Sequence, residues 1–103
     1  MLAKQYRLSK KKDFEAVYKK GRTINKDFLI FKILKNSLEN PRIGIVVSKK
    51  AIKKAVKRNL IKRRIREVVR EILPELKENN DIVILVKQEK GFQEIQQAIK
   101  QTL

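Results

Sequence analysis

The chain has no cysteine and no histidine. Without thiols there is no disulfide framework, no thiolate nucleophile and no Cys-based zinc site. Without imidazole there is no histidine general base, no catalytic triad and no His metal ligand. No apolar run approaches the roughly 18 residues that a membrane span requires. The start of the chain, Met1 to Lys12, is basic but lacks the apolar stretch of a signal peptide, so the expected compartment is the cytoplasm. Acids are also scarce, with 11 Asp+Glu against 27 Lys+Arg and a formal net charge of +16. Such a chain offers few side chains for making or breaking covalent bonds.

What is present is charge, and it is concentrated. Residues 42–70 hold twelve basic residues against Glu67 alone, whereas residues 71–103 are slightly acidic. One sign gathered in one stretch costs self-repulsion and suits a polyanion-binding face better than a merely soluble surface. The 103 residues fit one domain, and 42% hydrophobic content is enough for a real core.

Periodicity gives a coarse map. Ser9 as N-cap, then Phe14, Val17 and Tyr18 at helical spacing, and Gly21 as a stop predict a helix over 9–20. Phe28 to Leu34 reads as a strand apolar on both faces, and Thr23-Ile24 as a short extra strand. Asn36 to Pro41 is a loop by composition. Arg42 to Ser48 reads as a second strand, expected to form a hairpin with the first. A long helix over 55–73 is interrupted by Pro74. Asp81 to Lys87 is a buried strand. Gly91 precedes a last helix with Phe92, Ile95, Ala98, Ile99 and Leu103 on one face. The expected fold is α+β, a single domain over 1–103 in the order α-β-β-(β)-α-β-α.

The long helix sorts its charges. At about 100° per residue, Ile61, Ile65, Val68 and Ile72 form an apolar stripe. Asn59, Lys62, Arg63, Arg66 and Arg70 form a polar strip with no acid in it, while Glu67 and Glu71 lie elsewhere, near Arg64. A helix shaped only for solubility mixes signs to gain local pairs. Guanidinium forks grip phosphate bidentately, and lysine adds point charge. Phe14, Tyr18 and Phe31 lie among lysines, where aromatic faces can stack on unpaired bases. Their spacing alone favours the core.

The stretch Arg58-Asn59-x-x-Lys62-Arg63-x-x-Arg66-Glu67 resembles the signature helix of the bacterial ribonuclease P protein family. Asp13-Phe14, Tyr18, Gly21, Phe31 and Gly44 to Ser48-Lys49-Lys50 are similar to that family as well, so the likeness spans nearly the whole chain. The chain departs from it at Ile52-Lys53-Lys54, where many members carry a glycine.

The resemblance implies an α-β sandwich whose signature helix lies in a left-handed β-α-β crossover, against the usual right-handed rule. It implies a protein that binds a large catalytic RNA and assists removal of the 5′ leader from precursor tRNA. The RNA subunit and its Mg²⁺ carry the chemistry. Arg58, Asn59, Lys62, Arg63 and Arg66 match the signature and, with Arg70 of the same strip, are expected to meet the RNA subunit. Phe14, Tyr18 and Phe31, with Ser48, Lys49 and Lys50 at the edge, match a cleft that takes the single-stranded leader. The expected partners are the catalytic RNA and precursor tRNA, with no membrane and no obligatory protein partner.

A generic RNA-binding protein shares the charge and size but not the signature. A self-sufficient nuclease needs clustered acids for Mg²⁺; Asp13, Glu15 and Asp27 form no such pattern, and Glu71, Glu75 and Glu78, though spaced to share a helical face, read as a solvated helix end beside Pro74. A membrane-surface helix is disfavoured because the apolar stripe lacks Trp and Phe.

Overall fold

A computed structural model describes residues 3–103. After a 3₁₀ turn at Lys4–Tyr6 come α1 (Lys11–Lys20), β1 (Arg22–Lys26), β2 (Leu29–Lys35), β3 (Arg42–Val47), α2 (Ala55–Ile72), a 3₁₀ turn at Leu73–Glu75, β4 (Asn80–Val86) and α3 (Phe92–Thr102). The α+β class and the expected element order hold, and Thr23-Ile24 does belong to a strand, β1.

The sheet order is β1-β2-β4-β3. This corrects the expected hairpin. β2 pairs with β1 through the tight turn at Asp27-Phe28, and β4 inserts between β2 and β3. Asp27 takes a left-handed conformation, φ 51°, which a short polar side chain tolerates. β4 is antiparallel to β2 and parallel to β3, so β3-α2-β4 is a crossover unit. The physical reason is burial. β4 carries the most continuous apolar run and needs neighbours on both edges, whereas β1 is polar enough to stand at an edge.

Register assigns the two faces. Ile24, Phe31, Ile84 and Ile45 share one row, and Ile33, Ile82 and Ile43 another, on the face covered by α2 and α3. Ile61, Ile65, Val68, Val69 and Ile72 of α2 pack there with Ile95, Ala98 and Ile99 of α3. Both helical stripes read from periodicity are therefore the buried ones. Among the described residues the opposite face is covered by α1 and the segment before it, through Val17 and Leu8 against Val83. The expectation that β2 is covered on both faces holds in full for one face only.

The start of α1 is also corrected. Ser9 is not its N-cap; Lys10 occupies that place, without a side-chain cap. The chain stays extended that far because Leu8 is buried and its N–H donates to Ile43 O at 2.9 Å, laying the segment along the β3 edge. Gly21 does end the helix, for a reason of space. A Cβ there would sit 2.5 Å from Val17 O and 3.0 Å from Ile33 O, where only glycine fits.

Candidate nucleic-acid interface

α2 buries one stripe and turns its cations outward. Asn59, Arg63 and Arg70 are exposed, and Lys62 and Arg66 are half-buried, with their stems along the helix surface. Among the described residues, none of Lys62, Arg63, Arg66 and Arg70 makes an ion pair. Of the acids near α2, Glu71 meets Lys100 of α3 at 3.6 Å and Glu89 meets Lys57 at 3.4 Å, while Glu67 stands exposed off the strip. Free guanidinium groups on one strip are what a phosphate backbone requires.

Arg58 stands apart from the other signature residues. Its Nη1 donates to the carbonyls of Ile52 at 2.9 Å and Lys53 at 2.8 Å. It braces the loop that leads into α2. That loop is built without the glycine expected from the family. Ser48 Oγ accepts from the Lys50 and Ala51 amides at 3.1 and 3.4 Å, and Ile52 is buried as an anchor. The Ser48 hydroxyl is thus occupied in shaping the turn, and Lys49 and Lys50 project from it, exposed.

The expected aromatic trio does not assemble. Phe14 and Tyr18 lie together on α1, ring centroids 6.4 Å apart. Phe14 is half-buried over Gly44, where an added Cβ would approach its ring within 2.6 Å. Tyr18 is 41% exposed, and partial desolvation pushes its phenol above the ordinary value, so it is neutral at physiological pH. Phe31 is corrected: it is fully buried on the other face, in the core with Ile84. Period-two alternation along β2 sends it there, because Leu29, Phe31 and Ile33 point one way and Ile30, Lys32 and Leu34 the other.

Register supplies what the trio lacked. α1 crosses the strands from Gly44 on β3 to Ile33 on β2. The next row of that face, Asn25, Ile30, Leu85 and Val46, lies beyond the helix. Ile30, Leu85 and Val46 are half-buried, an apolar floor beside Phe14 and Tyr18, with the Ser48–Lys50 turn just past the end of β3. Lys32, one row nearer α1, donates to Thr23 Oγ1 at 3.0 Å. Alternation along β2 carried the signal for Ile30, but Leu85 and Val46 sit in apolar runs that hide it. Two acids on this side, Asp13 of α1 and Asp81 of β4, both pair with Arg42, at 3.1 and 2.6 Å.

Sheet, helices and strip together define a class: a small α-β sandwich with free cations on one helix and a half-buried apolar row on the opposite face. The family model described as Ribonuclease P matches residues 2–103. A ribonuclease P protein component from a Cyanothece species is 40% identical, over 100% of this chain and 93% of its own length. Among solved structures, a Staphylococcus aureus RNase P protein mutant with defective mRNA degradation activity superposes with a TM-score of 0.89. It is 33% identical, and the match covers 97% of this chain and 86% of that one. The RNase P protein from Thermotoga maritima gives 0.84 at 27% identity, with 94% of each chain covered. The chain belongs to the ribonuclease P protein family. Membership implies work in tRNA processing, as the protein component of an endoribonuclease that also contains an RNA subunit.

Proposed function

We propose that this chain binds the RNA subunit through the outer strip of α2 and holds the 5′ leader of precursor tRNA in the cleft beside α1. The observation that carries the proposal is the separation of two surfaces. The strip of Asn59, Lys62, Arg63, Arg66 and Arg70 offers unpaired cations suited to the folded RNA's phosphates. On the opposite face Phe14 and Tyr18 stand beside Ile30, Leu85 and Val46, a wall and floor suited to unstacked bases, with Lys49 and Lys50 exposed nearby for the phosphates between them. A single strand has bases free to stack; a paired stem does not.

Mg²⁺ belongs to the RNA subunit in this reading. Among the described residues no group of three acids is placed to hold a metal ion, and Asp13 and Asp81 share one guanidinium. The protein's part is to bind, to orient and to offset phosphate repulsion with its +16 charge. Arg58 and Ser48 act from within, by shaping the loop between the two surfaces. The compartment that fits this work is the cytoplasm; among the described residues no helix is long and apolar enough to cross a membrane.

The test is cleavage of a precursor tRNA at low Mg²⁺ by RNA subunit alone, by protein alone and by both. Protein alone is expected to leave the precursor intact, and the pair to cleave where the RNA alone does not. Cleavage by rigorously RNA-free protein would overturn the proposal.

A further inference from the structure

Arg42 is a half-buried cation whose three guanidinium nitrogens all bond within the protein. It opens β3 in the row Leu34, Asp81 and Arg42, on the face that α1 crosses. Its Nε donates to Asp81 Oδ1 at 2.9 Å and its Nη2 to Asp81 Oδ2 at 2.6 Å. Its remaining nitrogen, Nη1, donates to Asp13 Oδ2 at 3.1 Å. Asp81 is 6% exposed, and its Oδ1 also accepts from Asn36 Nδ2 at 2.9 Å. The hydrogen bond to Asp81, ahead of desolvation, raises the arginine's pKa, so the guanidinium stays charged. All three nitrogens are spent inside the protein, two on the sheet and one on α1.

Asp13 lies in the first turn of α1, directly before Phe14. α1 is only ten residues long and has no side-chain N-cap. Isolated helices shorter than about 12–15 residues are marginal in water, so tertiary anchors must hold it. Val17 on Val83 and Phe14 over Gly44 are apolar contacts. They fix the height of the helix above the sheet but tolerate sliding and rotation, because dispersion is not directional. The bond from Arg42 Nη1 to Asp13 is directional, and it fixes the end of the helix that carries Phe14.

We infer that Arg42 is a positioning residue: by tying Asp81 in the sheet to Asp13 on α1, it sets where α1 crosses the strands and so the width of the cleft in which Phe14 and Tyr18 meet the leader. The inference rests on the leader-binding reading proposed above. Arg42 itself touches no substrate.

The experiment compares holoenzymes assembled with the parent chain, Asp13→Asn, Asp13→Glu, Arg42→Lys and Tyr18→Ala. Two quantities are read: amide exchange of α1 against β4, and the ratio of precursor to mature tRNA affinity. Asp13→Asn removes the charge but keeps the shape. It is expected to speed exchange over residues 14–20, leave β4 protected, and lower the affinity ratio on the order of tenfold, within the usual coupling of a bonded network. Arg42→Lys, which has no fork to span both carboxylates, is expected to lower the ratio as well. Asp13→Glu, which keeps the carboxylate, is expected to restore most of it. If Tyr18→Ala lowers the ratio and Asp13→Asn does not, the positioning role is overturned and the leader reading stands. Should Asp13→Asn loosen α1 while neither variant changes the ratio, the leader reading fails and takes the inference with it. Unchanged exchange in α1 of Asp13→Asn overturns the clamp directly.

Discussion

The two faces of one sheet are built to different standards. On the α2/α3 face Leu29, Phe31 and Ile84 are wholly excluded from water, and two helices bury their apolar stripes against them. On the α1 face a single short helix covers part of the surface, Val83 is sealed beneath Val17, and Ile30, Leu85 and Val46 are left half-open. Fully burying an aliphatic side chain contributes about 1.5–3 kcal/mol, so the first face holds most of the stability. The second gives up burial and leaves apolar surface half-open, the surface proposed above to take the leader. The lesson is a division of labour within one small sheet: adjacent residues on β2 face opposite sides, Phe31 into the dry core and Ile30 onto the half-open face.

The largest expected effect breaks the dry face. Phe31→Ala should cost about 3–5 kcal/mol of stability, because the cavity forms where nothing can collapse into it. Thermal unfolding should fall, with precursor and mature tRNA binding lost together. A selective loss of precursor binding would move Phe31 back to the cleft and erase the contrast.

Gly44→Ala probes the boundary between helix and sheet. The new methyl group meets the Phe14 ring within 2.6 Å, so the ring or α1 must shift. A destabilisation of about 1–3 kcal/mol is expected, measured by chemical unfolding. Hydrogen exchange should place the loosening in α1 and not in β4.

The outer strip of α2 should answer to neither face. Arg63→Ala or Arg66→Ala should weaken assembly with the RNA subunit by about 1–3 kcal/mol. Arg64→Ala, off the strip, should stay near 0.5 kcal/mol or below. Titration of labelled RNA subunit decides the order. Arg64 as the worst of the three would mean that the strip is misassigned.

Tyr18 sharpens the open face. Tyr18→Ala should weaken precursor binding by roughly 1–3 kcal/mol while mature tRNA binds as before. Unfolding should move by no more than about 0.5 kcal/mol, since the ring is 41% exposed. The smallest effect is spectroscopic. In a Tyr6→Phe background the remaining tyrosine should ionise above the ordinary value of about 10, because partial burial disfavours the phenolate. Above that range the ionised phenol opposes the desolvated site, so folding loses stability as pH rises through the raised pKa and loses nothing below about 10.

Local pattern made much of this molecule legible. The stripe and strip of α2 follow from a period of 3.6 residues, and the structure buries Ile61, Ile65, Val68 and Ile72 as that period requires. The last helix and the apolar run of β4 were equally plain. The family signature groups Arg58 with the outward cations of α2, but its bonds to Ile52 and Lys53 depend on how the preceding loop folds back, which no local pattern shows.

Sequence by itself determined which segments are helix or strand, which side of each helix is apolar, and where positive charge gathers, because these depend on neighbours a few residues apart. Only the tertiary structure decided that β4 enters between β2 and β3, that Phe31 turns inward while Ile30 stays half-buried on the opposite face, and that Arg42 joins Asp13 to Asp81. Strand pairing and ion pairing link residues tens of positions apart, and an apolar run reads the same whichever strand lies beside it. The choice falls to the arrangement that buries the most apolar surface while leaving no buried polar side-chain atom among the described residues without a partner.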